Sequence, residues 1–381
     1  MPRVALLTTN LARGGAESQV AALAGGLRRH GWEAAVISLL PPAAFEDELR
    51  GAGVAVFSLG MHPGSPGPRG LARLLVILNR WRPQVLHSHM FHANLLARAA
   101  RLICPVPVVI STLHSAAETG RSSRRLRVRD GAYRMTDWLA DAVVAVSRAA
   151  VERHVSGGAV PRRKLRVIPN GVDTTVFHPD PDRRARLRRE LGVGPEFVWL
   201  AAGRLMWKKD YPTLLRAFSG GRQAVLLIAG EGPQEAELRA CARSLGVEAR
   251  FLGHRDDIPA LMNAADAFVL SSAVEGLPVV LLEAAASGLP AVASDAGGVR
   301  EIITDGETGF VVPPGDPAAL AAATARLAAL PAETRERMSR TARAQAVARF
   351  DRDAVAAQWD ATYRALLADP AGLCPPERAW M

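Results

Sequence analysis

Three cysteines in 381 residues, Cys104, Cys241 and Cys374, are too scattered and odd in number for a disulfide framework or a zinc-type spacing. That usage fits a reducing compartment, so a cytoplasmic location is expected. No apolar run approaches the roughly 18 residues that a membrane span needs. The opening MPRVALLTTNLARGGAE has too short an apolar run for a secretory signal and reaches Arg13 and Glu17 early. Short repeats and low-complexity tracts are absent. No G-x-G-x-x-G fingerprint follows the first strand-like run, which argues against an NAD enzyme. No RRM, KH or zinc-finger pattern occurs, so a nucleic-acid partner is not expected.

What is present is positive charge, unevenly spread. The formal net charge is +10; residues 1–177 carry +12 and residues 178–381 carry −2. A basic half favours anionic partners such as acidic lipid headgroups or phosphorylated acceptors, with solubility in an arginine-rich composition as the plain alternative. The densest run, RSSRRLRVRDGAYR at 121–134, has six arginines and one aspartate. The amphipathic LARLLVILNRWR at 71–82 could add an apolar face, although core packing competes for it. Reversible docking at the inner face of a cell membrane, without a span, is the resulting expectation.

Apolar runs of four to seven residues alternate with helical stretches: VALLTTN, AAVISLL, QVLHSH, VPVVIST, AVVAVS and KLRVIPNG in the first half. After the polar, proline-punctuated NGVDTTVFHPDPDRRAR, which reads as a linker, the pattern restarts with FVWLAAG, AVLLIAG, ARFLG, AFVLSS, PAVASD and GFVVPP. This predicts two α/β domains, each a parallel sheet with crossover helices, over residues 1–172 and 173–352. A last helix, AVAAQWDATYRALLA, is expected to pack back toward the first domain, ahead of a frayed Pro-rich tail within 353–381. Open α/β sheets bind ligands at the carboxyl ends of their strands, so chemistry is sought just after each strand.

The stretch SSAVEGLPVVLLEAAASGLP places Glu275 in the loop after a strand and Glu283 inside the following helix, which is expected to begin near Leu277 or Pro278. A helix start is an anion site, and a diphosphate suits it. With Gly276, Leu277 and Pro278 at the phosphate, Glu283 could meet ribose hydroxyls and Glu275 a sugar. The alternative is a buried Glu283 satisfied by backbone groups and a solvent-facing Glu275.

These residues resemble the E-x7-E signature of retaining glycosyltransferases of family 4, which implies the GT-B fold, two doubly wound, Rossmann-like α/β domains facing across a cleft. GGAE, the HSH run, IPNGVD, GRLMWKKDYPTLLRAF, AGEGP, FLG, EGLPVVLLEA, ASDAGGVREII and TGFVVPPGDP follow in family order. The resemblance implies that Arg204 and Lys209 hold the donor diphosphate, with Lys208 a possible substitute. It implies that Gly14 and Gly15 form a glycine-rich turn, Gly15 near the donor phosphate and Gly14 on the acceptor side. His114 would contact the donor sugar, and Gly253 and His254 would lie near the nucleotide base. His89, Asn94 and residues 111–115 would line the acceptor side, Gly297, Gly298 and Glu301 would shape the second domain, and Asn170 and Gly171 the interdomain turn. The catalytic set implied is His114, Glu275, Arg204 and Lys209. HSHMFH looks superficially like a metal site, yet no acid completes a ligand set and the family needs no metal, so neither metal nor other cofactor is expected.

The implied activity is transfer of a hexose or N-acetylhexosamine from a nucleoside-diphosphate sugar, UDP-linked by preference, to a hydroxyl. The acceptor would be a sugar, a lipid-linked or a small hydroxylated molecule, in bacterial cell-envelope polysaccharide or glycolipid synthesis. Alternatives are an aminoglycoside-type secondary-metabolite transferase, a UDP-sugar 2-epimerase and a nucleotide-sugar-binding regulator.

Overall fold

The computed structural model describes residues 1–42, 44–62, 68–114, 123–220 and 224–369. Ser115, Arg121, Cys374 and the Pro-rich tail lie outside the described residues. The chain divides into two units, Met1–Asn170 together with the chain from Arg352, and Gly171–Asp351.

The first unit holds seven strands: β1 (Arg3–Thr8), β2 (Glu33–Ser38), β3 (Ala55–Ser58), β4 (Val85–His89), β5 (Val108–Leu113), β6 (Ala142–Ala145) and β7 (Leu165–Val167). They form one sheet in the order β3-β2-β1-β4-β5-β6-β7, and every pairing is parallel. Near-continuous apolar strands such as RVALLT suit a sheet covered on both faces. Alternation along β1 feeds two cores. Val4 and Leu6 pack with the helix Gly15–Arg29 and with Val355, Trp359, Tyr363 and Leu366 of the helix Arg352–Ala368. Ala5 and Leu7 pack with Leu74 and Leu78 of the helix Pro68–Trp81 and with Ala93, Ala97 and Ala100 of the helix Phe91–Arg101. The apolar stripe at 71–82 is therefore committed mainly to the core, with Val76 left 49% exposed.

The second unit holds β8 (Phe197–Ala202), β9 (Ala224–Ala229), β10 (Ala249–Gly253), β11 (Ala267–Leu270), β12 (Ala291–Ser294) and β13 (Gly309–Val312), in the order β10-β9-β8-β11-β12-β13, again all parallel. In each sheet the order reverses once, between β1 and β4 and between β8 and β11. Ligand crevices open at such switch points.

Part of the stretch read as a linker is helical. Asp180 caps the helix Pro181–Glu190 by accepting from the Arg183 amide, with proline in the first turn where its missing N–H costs nothing. The helix Ala332–Phe350 has weak hydropathic contrast because its buried face is Met338, Ala342, Ala346 and Phe350. Those residues recur every four positions and pack on the helix Val279–Ala286, whose terminal carbonyl at Ala286 accepts from Arg343.

Candidate functional site

In the second unit, the loops after β8 and β11 meet at side chains of opposite charge. Lys209 Nζ lies 2.6 Å from Glu275 Oε1, with the two side chains only 19% and 13% exposed. The loops are also joined through backbone, since Ser271 Oγ donates to the Lys209 carbonyl at 2.7 Å and the Ala273 amide to the Lys208 carbonyl at 2.9 Å. Asp210 is left-handed at φ 45° and caps the helix Tyr211–Ala217 by accepting from Thr213. Lys208 turns away and sits 5.7 Å above the exposed Trp207 ring. Arg204 is exposed and makes no hydrogen bond or ion pair among the described residues.

Glu283 stands in the second turn of the helix Val279–Ala286 and accepts no hydrogen bond among the described residues. Burial lifts its carboxyl to about 7, and nearby Lys209 pulls the other way. The backbone-satisfied Glu283 and the solvent-facing Glu275, both open from sequence, are not what the fold builds. The helix starts at Val279 with Pro278 as its cap, one residue later than expected, because Pro278 keeps an extended ψ of 111° although its φ of −69° would suit a helix. Tyr211, buried, donates its hydroxyl to the Gly203 carbonyl at 3.0 Å, and burial together with Glu275 raises its phenol. A signal for Lys209 was present in composition: of 47 Lys and Arg residues only Lys164, Lys208 and Lys209 are lysine.

Glycines set these loops against one another. A Cβ on Gly230 would stand 2.1 Å from the Gly203 carbonyl oxygen, and one on Gly232 2.2 Å from that of Leu205. The two residues flanking Arg204 are thus held by AGEGP. Gly297, at φ +59°, packs the same way against the Glu275 carbonyl oxygen, and the Gly298 amide donates to the Gly276 carbonyl at 2.8 Å. Gly253 ends β10 and His254 follows it; the Gly253 carbonyl accepts from Gly230 at 2.8 Å, and the His254 amide donates to Glu231 Oε1 at 3.2 Å. Glu231 was not singled out by sequence.

In the first unit, three histidines line up at the ends of β4 and β5. His87 Nδ1 lies 2.5 Å from the Tyr363 hydroxyl and Nε2 2.6 Å from Thr112 Oγ1. The His89 ring lies 4.1 Å from that of His87, tilted by 40°, and its Nδ1 is 3.0 Å from His114 Nε2. Burial holds all three well below the ordinary imidazole value, His114 at about 4, so the group is neutral at pH 7. Such rings orient and donate hydrogen bonds rather than act as bases. His89 Nε2 is buried without a partner. Directly after His89 the backbone takes φ 72° at Met90, an uncommon angle for a side-chain-bearing residue.

Some expectations are corrected here. Asn94 does not line an open surface: it is fully buried and donates to the Thr112 carbonyl and the Tyr133 hydroxyl, each at 3.0 Å. His92 is exposed on its helix, apart from the other histidines. Gly14 caps the first helix in extended backbone, φ −171°, which any residue adopts, so conformational freedom is not what this position uses. Among the described residues no group of three or more His, Cys, Asp or Glu is arranged to hold a metal. The Asp-x-Asp triplets at 180–182 and 351–353 serve structure, Asp180 as a helix cap and Asp351 as acceptor for Thr174.

Two family models match this chain, "Glycosyltransferase Family 4" over residues 13–176 and "Glycosyl transferases group 1" over residues 183–345. A GDP-mannose-dependent alpha-(1-6)-phosphatidylinositol monomannoside mannosyltransferase of Mycobacterium tuberculosis is 33% identical over 341 residues, 82% of this chain and 85% of the relative. The enzyme of the same name from Mycolicibacterium smegmatis is 38% identical over 207 residues, 50% of this chain and about half, 54%, of the relative. Among solved structures, HepE of Anabaena in complex with UDP-glucose superimposes with a TM-score of 0.85 at 27% identity, covering 96% of this chain and 100% of that one.

Proposed function

Because this chain belongs to glycosyltransferase family 4 and is a GT-B glycosyltransferase, we propose that it moves a hexosyl group from a nucleoside diphosphate to a hydroxyl acceptor with retention at the anomeric carbon. The observation that carries the reading is the Lys209–Glu275 pair with the unpartnered Glu283 carboxyl beside it, at the switch point of the second sheet. In this reading Arg204 and Lys209 neutralise the charge that grows on the departing diphosphate. Lys209 then exchanges one anionic partner for another. Glu283 meets ribose hydroxyls, Glu275 meets the transferred sugar, and the backbone at Gly253 and His254 lies by the base. The neutral His114, held by His89, donates a hydrogen bond to the sugar. The leaving diphosphate takes the acceptor proton. No metal is required.

Two donor readings have support. The UDP-glucose complex of HepE favours a UDP-sugar, and the GDP-mannose dependence of the mycobacterial relatives favours GDP-mannose. Those relatives' phosphatidylinositol monomannoside acceptor supports a glycolipid acceptor in envelope synthesis. A thermal-shift panel of UDP, GDP, UDP-glucose and GDP-mannose chooses between the donors, since a ligand at a hundred times its Kd adds about 2.7 kcal/mol of apparent stability. The preferred donor is then supplied with candidate glycolipids, with and without EDTA, and the product's anomeric configuration read by NMR. No shift with any nucleotide would sink the donor site, an inverted product the retention, and loss of turnover in EDTA the metal independence. Nucleotide release at an unchanged rate without acceptor would favour the epimerase reading.

A further inference from the structure

The helix Ser123–Thr136 and the turn Asp137–Leu139 that continues it are tied down by polar groups on the inner side and carry apolar ones on the outer side. Inward, Tyr133 is buried, Arg129 lies 4.1 Å over the Phe91 ring, and Asp130 pairs with Arg153 at 3.2 Å. The fully buried Arg98 donates to the Tyr133 carbonyl at 3.2 Å and to the Thr136 hydroxyl at 3.1 Å. Outward, Val128, Met135 and Trp138 are 65%, 76% and 69% exposed. Positions 124, 128, 131, 135 and 138 are spaced by three or four and share one face. A Cβ added at Gly131, on that face, would meet nothing within 4 Å.

Exposed Arg124, Arg127 and Arg134 flank the stripe and make no hydrogen bond or ion pair among the described residues. The acids of this stretch are engaged inward, Asp130 with Arg153 and Asp137 with Lys164. Leu102 and Ile103, 62% and 65% exposed, follow Arg101, which donates to the Leu139 carbonyl at 3.2 Å. Five of the ten exposed large apolar side chains among the described residues therefore lie in this one corner of the first unit.

We propose that this exposed face, Arg124–Val128–Met135–Trp138 with its flanking arginines, docks on a bilayer of anionic lipid. Neither half of the face alone would specify that. Solvated arginines would suit any anion, and a lone exposed apolar residue needs no explanation. Together they match an interface in which Trp138, Met135 and Val128 enter the headgroup boundary while the arginines meet lipid phosphates. The inference goes beyond the transfer reaction and does not depend on which donor is used.

The test is co-sedimentation of the full chain with phosphatidylcholine vesicles, with and without phosphatidylglycerol, at low and high salt. Binding is expected to the phosphatidylglycerol vesicles alone and to weaken as salt rises. Replacing Arg124, Arg127 and Arg134 by Ser together weakens it about a hundredfold. Replacing Val128, Met135 and Trp138 by Gln together weakens it at least about tenfold, with an unchanged melting temperature. Trp138→Gln alone, at a 69% exposed site, carries the test if a triple variant fails to fold. No binding to anionic vesicles at low salt, equal binding to neutral ones, or variants that bind like the native chain would overturn the proposal.

Discussion

Lys209 is a compact point charge in a chain that otherwise relies on arginine, and it answers two carboxyls at once. Glu275 is its direct partner at 2.6 Å, and its charge lowers the cost of the buried Glu283. The family resemblance favours Lys209 and leaves the adjacent Lys208 as a possible substitute. Packing separates them, with one on the Trp207 ring and the other in the acidic cluster. Lys209→Ala is expected to lower turnover by roughly two to three orders of magnitude and to remove the nucleotide-induced thermal shift. Lys208→Ala should keep both within a few-fold; the opposite pattern in steady-state kinetics would transfer the role to Lys208.

At the scale of elements, the strand-end loops of the second unit are stacked through glycine, and the stacking determines where the charged side chains stand. The motifs AGEGP and AGGVRE are visible in sequence as glycine-rich turns. What they turn against is not visible, since Gly230 meets Gly203 and Gly297 meets Glu275 across intervening helices. Gly297→Ala combines a left-handed φ of +59° with a Cβ 2.2 Å from a backbone oxygen that has no rotamer to change. The expected cost is about 2 kcal/mol or more, read from urea denaturation. The loss of turnover should exceed that of Gly315→Ala, which has a similar φ of +72° but open space around it. Equal effects of the two substitutions would show that φ alone matters and that the Glu275 loop is not held by contact.

At the scale of the whole molecule, the two units carry titrations of opposite sign. His87, His89 and His114 have folded values below the unfolded one, so the native state binds fewer protons there. Their contribution is complete above about pH 6.5 and falls as the pH drops below it, for His114 through about 4. Glu283 is raised from 4.5 to about 7, so its protonated form stabilises the fold below about pH 4.5 and that stability is lost as pH rises through 7. Glu283→Gln removes only the second dependence. Denaturation midpoints of variant and native chain, compared from acid to neutral pH, should diverge in favour of the variant between about pH 4.5 and 7, by up to about 3 kcal/mol. A constant difference across that range would mean that Glu283 titrates normally.

The sequence by itself determined what local period and strand-end position can encode. Alternating apolar runs gave two parallel α/β sheets, and strand-end position gave Glu275 in a loop and Glu283 in the helix after it, whereas Arg204 and Lys209 came from the family resemblance. The tertiary structure alone decided which groups are partners. Lys209 meets Glu275 from 66 positions away and His87 meets Tyr363 from 276 away. It decided that the apolar face at 71–82 is core while that of the arginine-rich helix is exposed. It also decided that Asn94 points inward. The physical reason is range: side-chain period reports which face of an element is apolar, whereas the identity of the group across from it depends on how sequence-distant elements pack.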